Sequence, residues 1–191
     1  MKKIIIAAIL GLTSALYSAD VVVYPRSTGY PYPCPIPKTG QKVSYAAGDD
    51  GWHGTNIGVA WPATRFTVLA NTNCVKDNLT GLVWARNANL FGQTNWDVAI
   101  TICNDLNYGD QTDWRLPSYQ ELNSLIDISV FNPPIIINHP FASVQYDRYW
   151  TSSTRAAGTG SAIYISYSEG FVSTYATKTN SFYYIWPVRG P

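Results

Sequence analysis

The feature that most limits the fold is a change of hydrophobic period at Asn132-Pro133-Pro134. Upstream of it, apolar residues recur at helical spacing. Downstream, residues 149–154, 162–167, 171–175 and 182–189 are crowded with β-branched and aromatic side chains. Helical signals followed by a run of short antiparallel strands define an α+β domain rather than a parallel α/β one. The first helix signal is Trp96, Ala99, Ile100, Cys103 and Leu106 on one face. Thr94 stands as its N-cap, Asp97 suits the positive N-terminal end, and Gly109 is placed to end it. The second opens on Ser118-Tyr119-Gln120-Glu121, a capping box in which serine and glutamate satisfy each other's backbone donors. Leu122, Leu125 and Ile126 give that helix a short buried face. Residues 65–69 and 82–85 read as strands, the latter after the turn Asp77-Asn78-Leu79-Thr80-Gly81. Pro187 removes a ladder donor, so the last β segment is expected at an edge or bulged there.

The N-terminus reads as an export signal. Lys2 and Lys3 precede an apolar run from Ile4 to Leu12, and small residues lead to a cleavage point after Ala19. The run is shorter than the roughly 20 apolar residues a spanning helix needs, and no later run approaches that length. The expectation is a secreted, periplasmic or cell-surface protein without a membrane span after signal cleavage. Residues 20–36 form a proline-rich linker that reads as extended. Residues 37–191 form one domain with its core in 74–190. Without the signal, 11 Lys and Arg face 12 Asp and Glu, a formal charge of −1. No basic run exists to track a phosphate backbone, so nucleic acid is not an expected partner.

Three cysteines remain, Cys34, Cys74 and Cys103, and an exported chain is expected to pair two of them. Cys103 lies on the helical stripe and Cys74 just before a strand, whereas Cys34 lies in the linker. The expected bridge is therefore Cys74–Cys103. No C-x-x-C spacing occurs and only two histidines are present, which argues against structural zinc.

Candidate sites divide by chemistry. Tyr146, Tyr149, Tyr164, Tyr167, Tyr175, Tyr183 and Tyr184, interspersed with serine and threonine, resemble a paratope of rigid rings and adaptable hydroxyls. Strand alternation puts Ile163, Ile165 and Tyr167 on one face and Tyr164 and Ser166 on the other. Tyr146, Tyr164, Ser166 and Tyr175 are thus the ligand-binding candidates, with about half of the tyrosines expected in the core. Asp49-Asp50-Gly51 offers adjacent carboxylates that calcium accepts when carbonyls join them. An ordinary turn uses the same residues. Arg115 and Arg189 are read as loop-holding cations, with Glu121 or Asp127 as the carboxylate for Arg115. No G-x-S-x-G, H-E-x-x-H or P-loop is present, so no enzyme is expected and no cofactor other than calcium.

An ordered series of motifs then carries a family resemblance. It runs from Asp77-Asn78-Leu79-Thr80-Gly81-Leu82-Val83-Trp84 through Trp96, Ala99, Cys103 and Trp114-Arg115-Leu116-Pro117 to Glu121-Leu122. Tyr149-Trp150-Thr151-Ser152-Ser153-Thr154 and Pro187-Val188-Arg189-Gly190 complete it. The series resembles the Lcl C-terminal domain family, a bacterial domain named after the end of a collagen-like adhesin. Residues 37–62 resemble its longer form. The resemblance implies a C-type-lectin-like fold, with Trp84, Trp114, Arg115, Pro117, Glu121, Trp150 and Arg189 as its structural motif. It also implies an exported or surface module, whose namesake binds sulfated polysaccharide and assembles as a trimer. This chain lacks the collagen-like stalk and the clustered Lys and Arg that a polyanion requires. The expected function is a non-enzymatic module recognising an extracellular glycan or protein, as a monomer or a homo-oligomer. The alternatives are a structural subunit of a surface appendage or envelope assembly, and an enzyme of formylglycine-generating-like fold. Those enzymes carry their reactive cysteines late in the domain, whereas the last cysteine here is Cys103.

Overall fold

The computed structural model describes residues 37–53, 58–131, 133–168 and 171–190. The segments read as an export signal and a linker, and Cys34 with them, lie outside the described residues. Short elements follow one another as α1 (Asp50–His53), β1 (Phe66–Val68), β2 (Cys74–Asp77), β3 (Val83–Ala85), β4 (Gln93–Thr94), α2 (Trp96–Asn104) and α3 (Tyr119–Ser124). The β-rich end holds β5 (Arg148–Thr154), β6 (Ser161–Ser166), β7 (Phe171–Thr177), β8 (Tyr183–Tyr184) and β9 (Val188–Arg189). They build a four-stranded sheet, β1-β2-β3-β9, and a five-stranded sheet, β4-β8-β5-β6-β7. The α+β class expected from the change of period is what the chain adopts.

Both main helices start as their local chemistry dictates. At α3 the Ser118 hydroxyl accepts from the Glu121 backbone and the Glu121 carboxylate accepts from the Ser118 backbone, a complete capping box. At α2 the cap is Asn95, whose side chain accepts from Val98 N, not Thr94. Thr94 is engaged instead in β4, paired with Tyr183. The helix also ends earlier than expected, at Asn104 with Asp105 as C-cap. Gly109 instead lets the chain pass close to Cys74. Its φ is +60°, and a Cβ there would stand 2.5 Å from the Cys74 sulfur.

The expectation of purely antiparallel sheets fails at one joint, because β5 pairs with β8 in parallel. The expected strand 182–189 is also divided. Its first part is β8 in one sheet and its second is β9 in the other, with Pro187 between them. This crossing stitches the sheets together. The Trp186 indole donates to Ala85 O at 2.8 Å, and Ala85 N donates to Pro187 O at 3.0 Å.

Successive residues of β5 point to opposite faces and enter two different cores. Tyr149 joins Trp84, Trp186, Tyr167, Leu122, Leu125 and Phe141. Trp150 joins Ala99 and Cys103 of α2, with Leu116, Tyr183 and Ile185. The five-stranded sheet is therefore covered on both faces. The alternation read in β6 is present only in part: Ile165 and Tyr167 are fully buried, whereas Ile163, read on their face, is half-buried and the register shifts between Ala162 and Tyr164. The face opposite them is not open to solvent, since Tyr164 packs against the Trp150 core.

Candidate functional site

The motif residues hold loops and sheets together. Arg115 donates to both carboxylate oxygens of Glu121, at 2.7 and 2.6 Å, and to Gly190 O at 3.0 Å. Its backbone exchanges two hydrogen bonds with Val188, so it continues the first sheet past β9. Glu121, not Asp127, is its carboxylate. Burial raises the Glu121 carboxyl, but the hydrogen bonds from Arg115 and Ser118 outweigh it and hold the group below its ordinary range. Arg189 donates to Asp113 at 2.6 Å. Pro117 is buried, and its carbonyl accepts from Ser152 N at 2.7 Å. Trp84 stands edge-on to Trp186 at 5.7 Å. The indoles of Trp114 and Trp150 donate to the carbonyls of Tyr108 and Thr94.

The two described cysteines are free buried thiols, so the bridge expected between them is not formed here. They belong to separate cores. Cys74 lies against Asn71, whose amide donates to its sulfur, and beneath Gly109. Cys103 lies on the buried side of α2, and burial pushes its thiol up to about 12.

The tyrosine set is not brought together as one surface. Tyr149, Tyr167 and Tyr183 are buried. Ser166 is 4% exposed, and its hydroxyl contacts that of Ser168, which takes it away from an external ligand. Tyr164 is half-buried, with the Arg148 guanidinium 6.0 Å from its ring. Tyr146 and Tyr175 remain exposed at 45% and 44%. Arg155 covers the Tyr175 ring at 3.5 Å, a cation–π contact at the open edge of the five-stranded sheet.

Asp49 and Asp50 serve a local turn. Asp49 accepts from the backbone N–H of Tyr45, Ala46 and Trp52. Those bonds, Tyr45 first, lower its carboxyl to about 2. Asp50 accepts from the Thr39 hydroxyl. Among the described residues, no group of three or more His, Cys, Asp or Glu is placed to hold a metal ion.

Among the described residues, one concave site lies in the lead-in. A cleft of about 370 Å³ is lined by residues of segments 38–42 and 60–62, together with Asp50 and Ile136. Trp61 and Pro62 give it an apolar wall. Gly40, with φ +95°, turns the chain tightly against Asp127 and the Trp61 ring. Thr39 O accepts from Ile128 N at 3.1 Å, which ties the segment to the domain. Behind Trp61 stands a buried cation. Arg65 lies 4.4 Å from the Trp61 ring centre and 4.9 Å from that of Phe66. It pairs at 3.3 Å with Asp77, their side chains 1% and 0% exposed, and donates to Ser124 O. The sequence reading placed Arg65 on a strand and Asp77 in a turn. It missed the pair, because nothing local ties residues that far apart.

Two packed sheets, short capped helices and a cleft walled by an N-terminal lead-in make this an α+β domain whose ion pairs secure loops and sheets. The chain belongs to the Lcl C-terminal domain family, whose model matches residues 73–189. No curated protein matches it. No helix among the described residues is long and apolar enough to cross a membrane.

Proposed function

We propose that this protein is an exported, surface-associated binding module without enzymatic activity, engaging an extracellular glycan or protein. The observation that carries the reading is the Trp61 cleft. It lies within the range of roughly 300–1,000 Å³ usual for ligand sites, with the apolar wall such sites favour. The family supports a surface-associated role, and the export signal read in residues 1–19 is consistent with it. A C-type-lectin-like scaffold, expected from the resemblance, suits a domain whose short strands leave long loops to carry binding. Against catalysis stands the engagement of the charged groups, since Glu121, Asp113, Asp77 and Asp49 each hold a loop, a strand or a turn. Calcium is not part of the proposed site, because the Asp49 carboxylate already takes three backbone donors.

The test is a glycan array together with cell-adhesion measurements on the chain from residue 20, beside Trp61→Ala and Tyr175→Ala. Retention of a ligand that Trp61→Ala weakens tenfold or more supports the cleft. A loss confined to Tyr175→Ala moves the site to the β7 edge. Absence of any retained glycan or cell surface overturns the reading.

A further inference from the structure

The hydrogen-bonding groups that line the cleft are largely engaged within the domain. The Thr39 hydroxyl donates to Asp50 and accepts from Gln41 N. The Gln41 amide donates to Val43 O and Asp49, and the Trp61 indole donates to Lys38 O at 3.0 Å. With the Thr39, Gln41 and Trp61 donors engaged, the cleft favours, of the glycan and protein ligands, one that brings apolar rings and acceptors. What the cleft offers is apolar contact from Trp61, Pro62, Ala60 and Ile136, with the exposed Lys42 at its rim. The segments that build it also carry exposed apolar side chains, Tyr45 at 83%, Trp52 at 62% and Ile137 at 69%. A Trp-walled groove with little free hydrogen bonding suits proline-rich extended peptide, whose rings pack while its unpaired carbonyls accept from a rim donor.

The chain carries such a peptide next to the cleft. Residues 30–37 read Tyr-Pro-Tyr-Pro-Cys-Pro-Ile-Pro, and Pro37 forms a bridge with Val59, just before the Ala60-Trp61-Pro62 wall. Building on the cleft as a binding site, we propose that it takes Tyr30-Pro31-Tyr32-Pro33 of a second copy of this chain. The second copy is favoured over the same chain by the prolines themselves. Each fixes φ and biases the residue before it toward extended backbone. With proline at every second position, the sequence favours a rod of about 20 Å from residue 30 to residue 37, at roughly 3.1 Å per residue. Reaching its own cleft, whose lining begins at Lys38, would require that rod to reverse within residues 34–37. A neighbour's segment meets no such constraint. The contact is heterologous, segment to cleft, so it propagates into a ring or an open filament.

Two measurements test this on the chain from residue 20. In sedimentation, the wild type associates with rising concentration, and Tyr30→Ala/Tyr32→Ala weakens association at least tenfold. Those tyrosines precede the first described residue, and an unchanged urea midpoint for the variant checks that its fold is intact. A synthetic peptide of residues 24–36 then binds the doubly substituted chain in trans. In a Lys42→Cys variant, mild oxidation yields a bridge from Cys34 of one copy to position 42 of another. Mixing isotopically labelled and unlabelled chains identifies it by mass spectrometry, and Lys76→Cys yields none. A chain that stays monomeric at all concentrations and forms only an intrachain bridge, or no 34–42 bridge, overturns the inference. If that monomer still retains a ligand that Trp61→Ala releases, the binding-module reading survives alone. If Trp61→Ala changes neither association nor retention, both fail.

Discussion

Glu121 accepts three hydrogen bonds at once. Both of its oxygens take Arg115, and one also accepts from Ser118 N at 2.7 Å, where it closes the cap of α3. Burial works to raise its carboxyl, and the donated hydrogen bonds win, leaving it below the usual 4.5. A carboxyl depressed by folding stabilises the folded state at pH values above its unfolded pKa. That contribution is lost as pH falls from about 4.5 through the folded value. Arg115 is 40% exposed along its side chain, so solvent screening reduces what the pair contributes. Glu121→Gln is therefore expected to cost about 1–2 kcal/mol at pH 7, measured by urea unfolding. The difference from wild type should shrink by pH 3. An equal loss at both pH values would assign the effect to packing rather than to charge.

At the scale of elements, the join between β1 and β2 depends on a buried charge. Arg65 precedes β1 and Asp77 ends β2, and the carboxylate also accepts from Leu79 N and the Thr80 hydroxyl. Asp77→Ala strands the guanidinium in a site that is 3% exposed. The expected cost is about 3–5 kcal/mol, read as a lower urea midpoint. Arg65→Met/Asp77→Leu, which removes both charges, should recover much of it; failure to recover would assign the cost to the turn that Asp77 closes. What the sequence disclosed about elements follows the range of the interactions. The α3 cap was legible because its two partners lie three residues apart. The α2 cap was misread by one residue because Thr94 is claimed by Tyr183, a partner far along the chain. Pro187 announced an interruption, but not that the strand changes sheets there. The face of Tyr164 read as surface because periodicity tells which residues share a face, not what covers it. The cleft left no local signal, since Ile136 meets the lead-in only in the folded chain.

The whole molecule raises the question of where its folding unit begins. The family match starts at residue 73, yet the packing reaches further toward the N-terminus. β1 pairs with β2 along Phe66, Thr67 and Val68, Arg65 neutralises Asp77, and Trp61 covers Arg65. Thr39 then fastens the lead-in to Ile128. A chain beginning at residue 73 would expose the edge of β2 and leave the Asp77 carboxylate buried without its cation. Removing one partner of such a pair costs about 3–5 kcal/mol, before the lost strand is counted. Against a typical total of about 5–15 kcal/mol, that is a large fraction of the stability. A chain beginning at residue 37 is expected to unfold in one cooperative urea transition close to that of the chain from residue 20. One beginning at residue 63 should retain the Arg65–Asp77 pair but lose its Trp61 cover, and unfold earlier. One beginning at residue 73 should show a broad, early transition. Equal midpoints for the chains from 37 and from 73 would make the lead-in an appendage. The cleft would then lie on a part of the chain that folding does not need, and the ordered decline expected across the three starting points is what ties the Trp61 cleft to the stability of the domain.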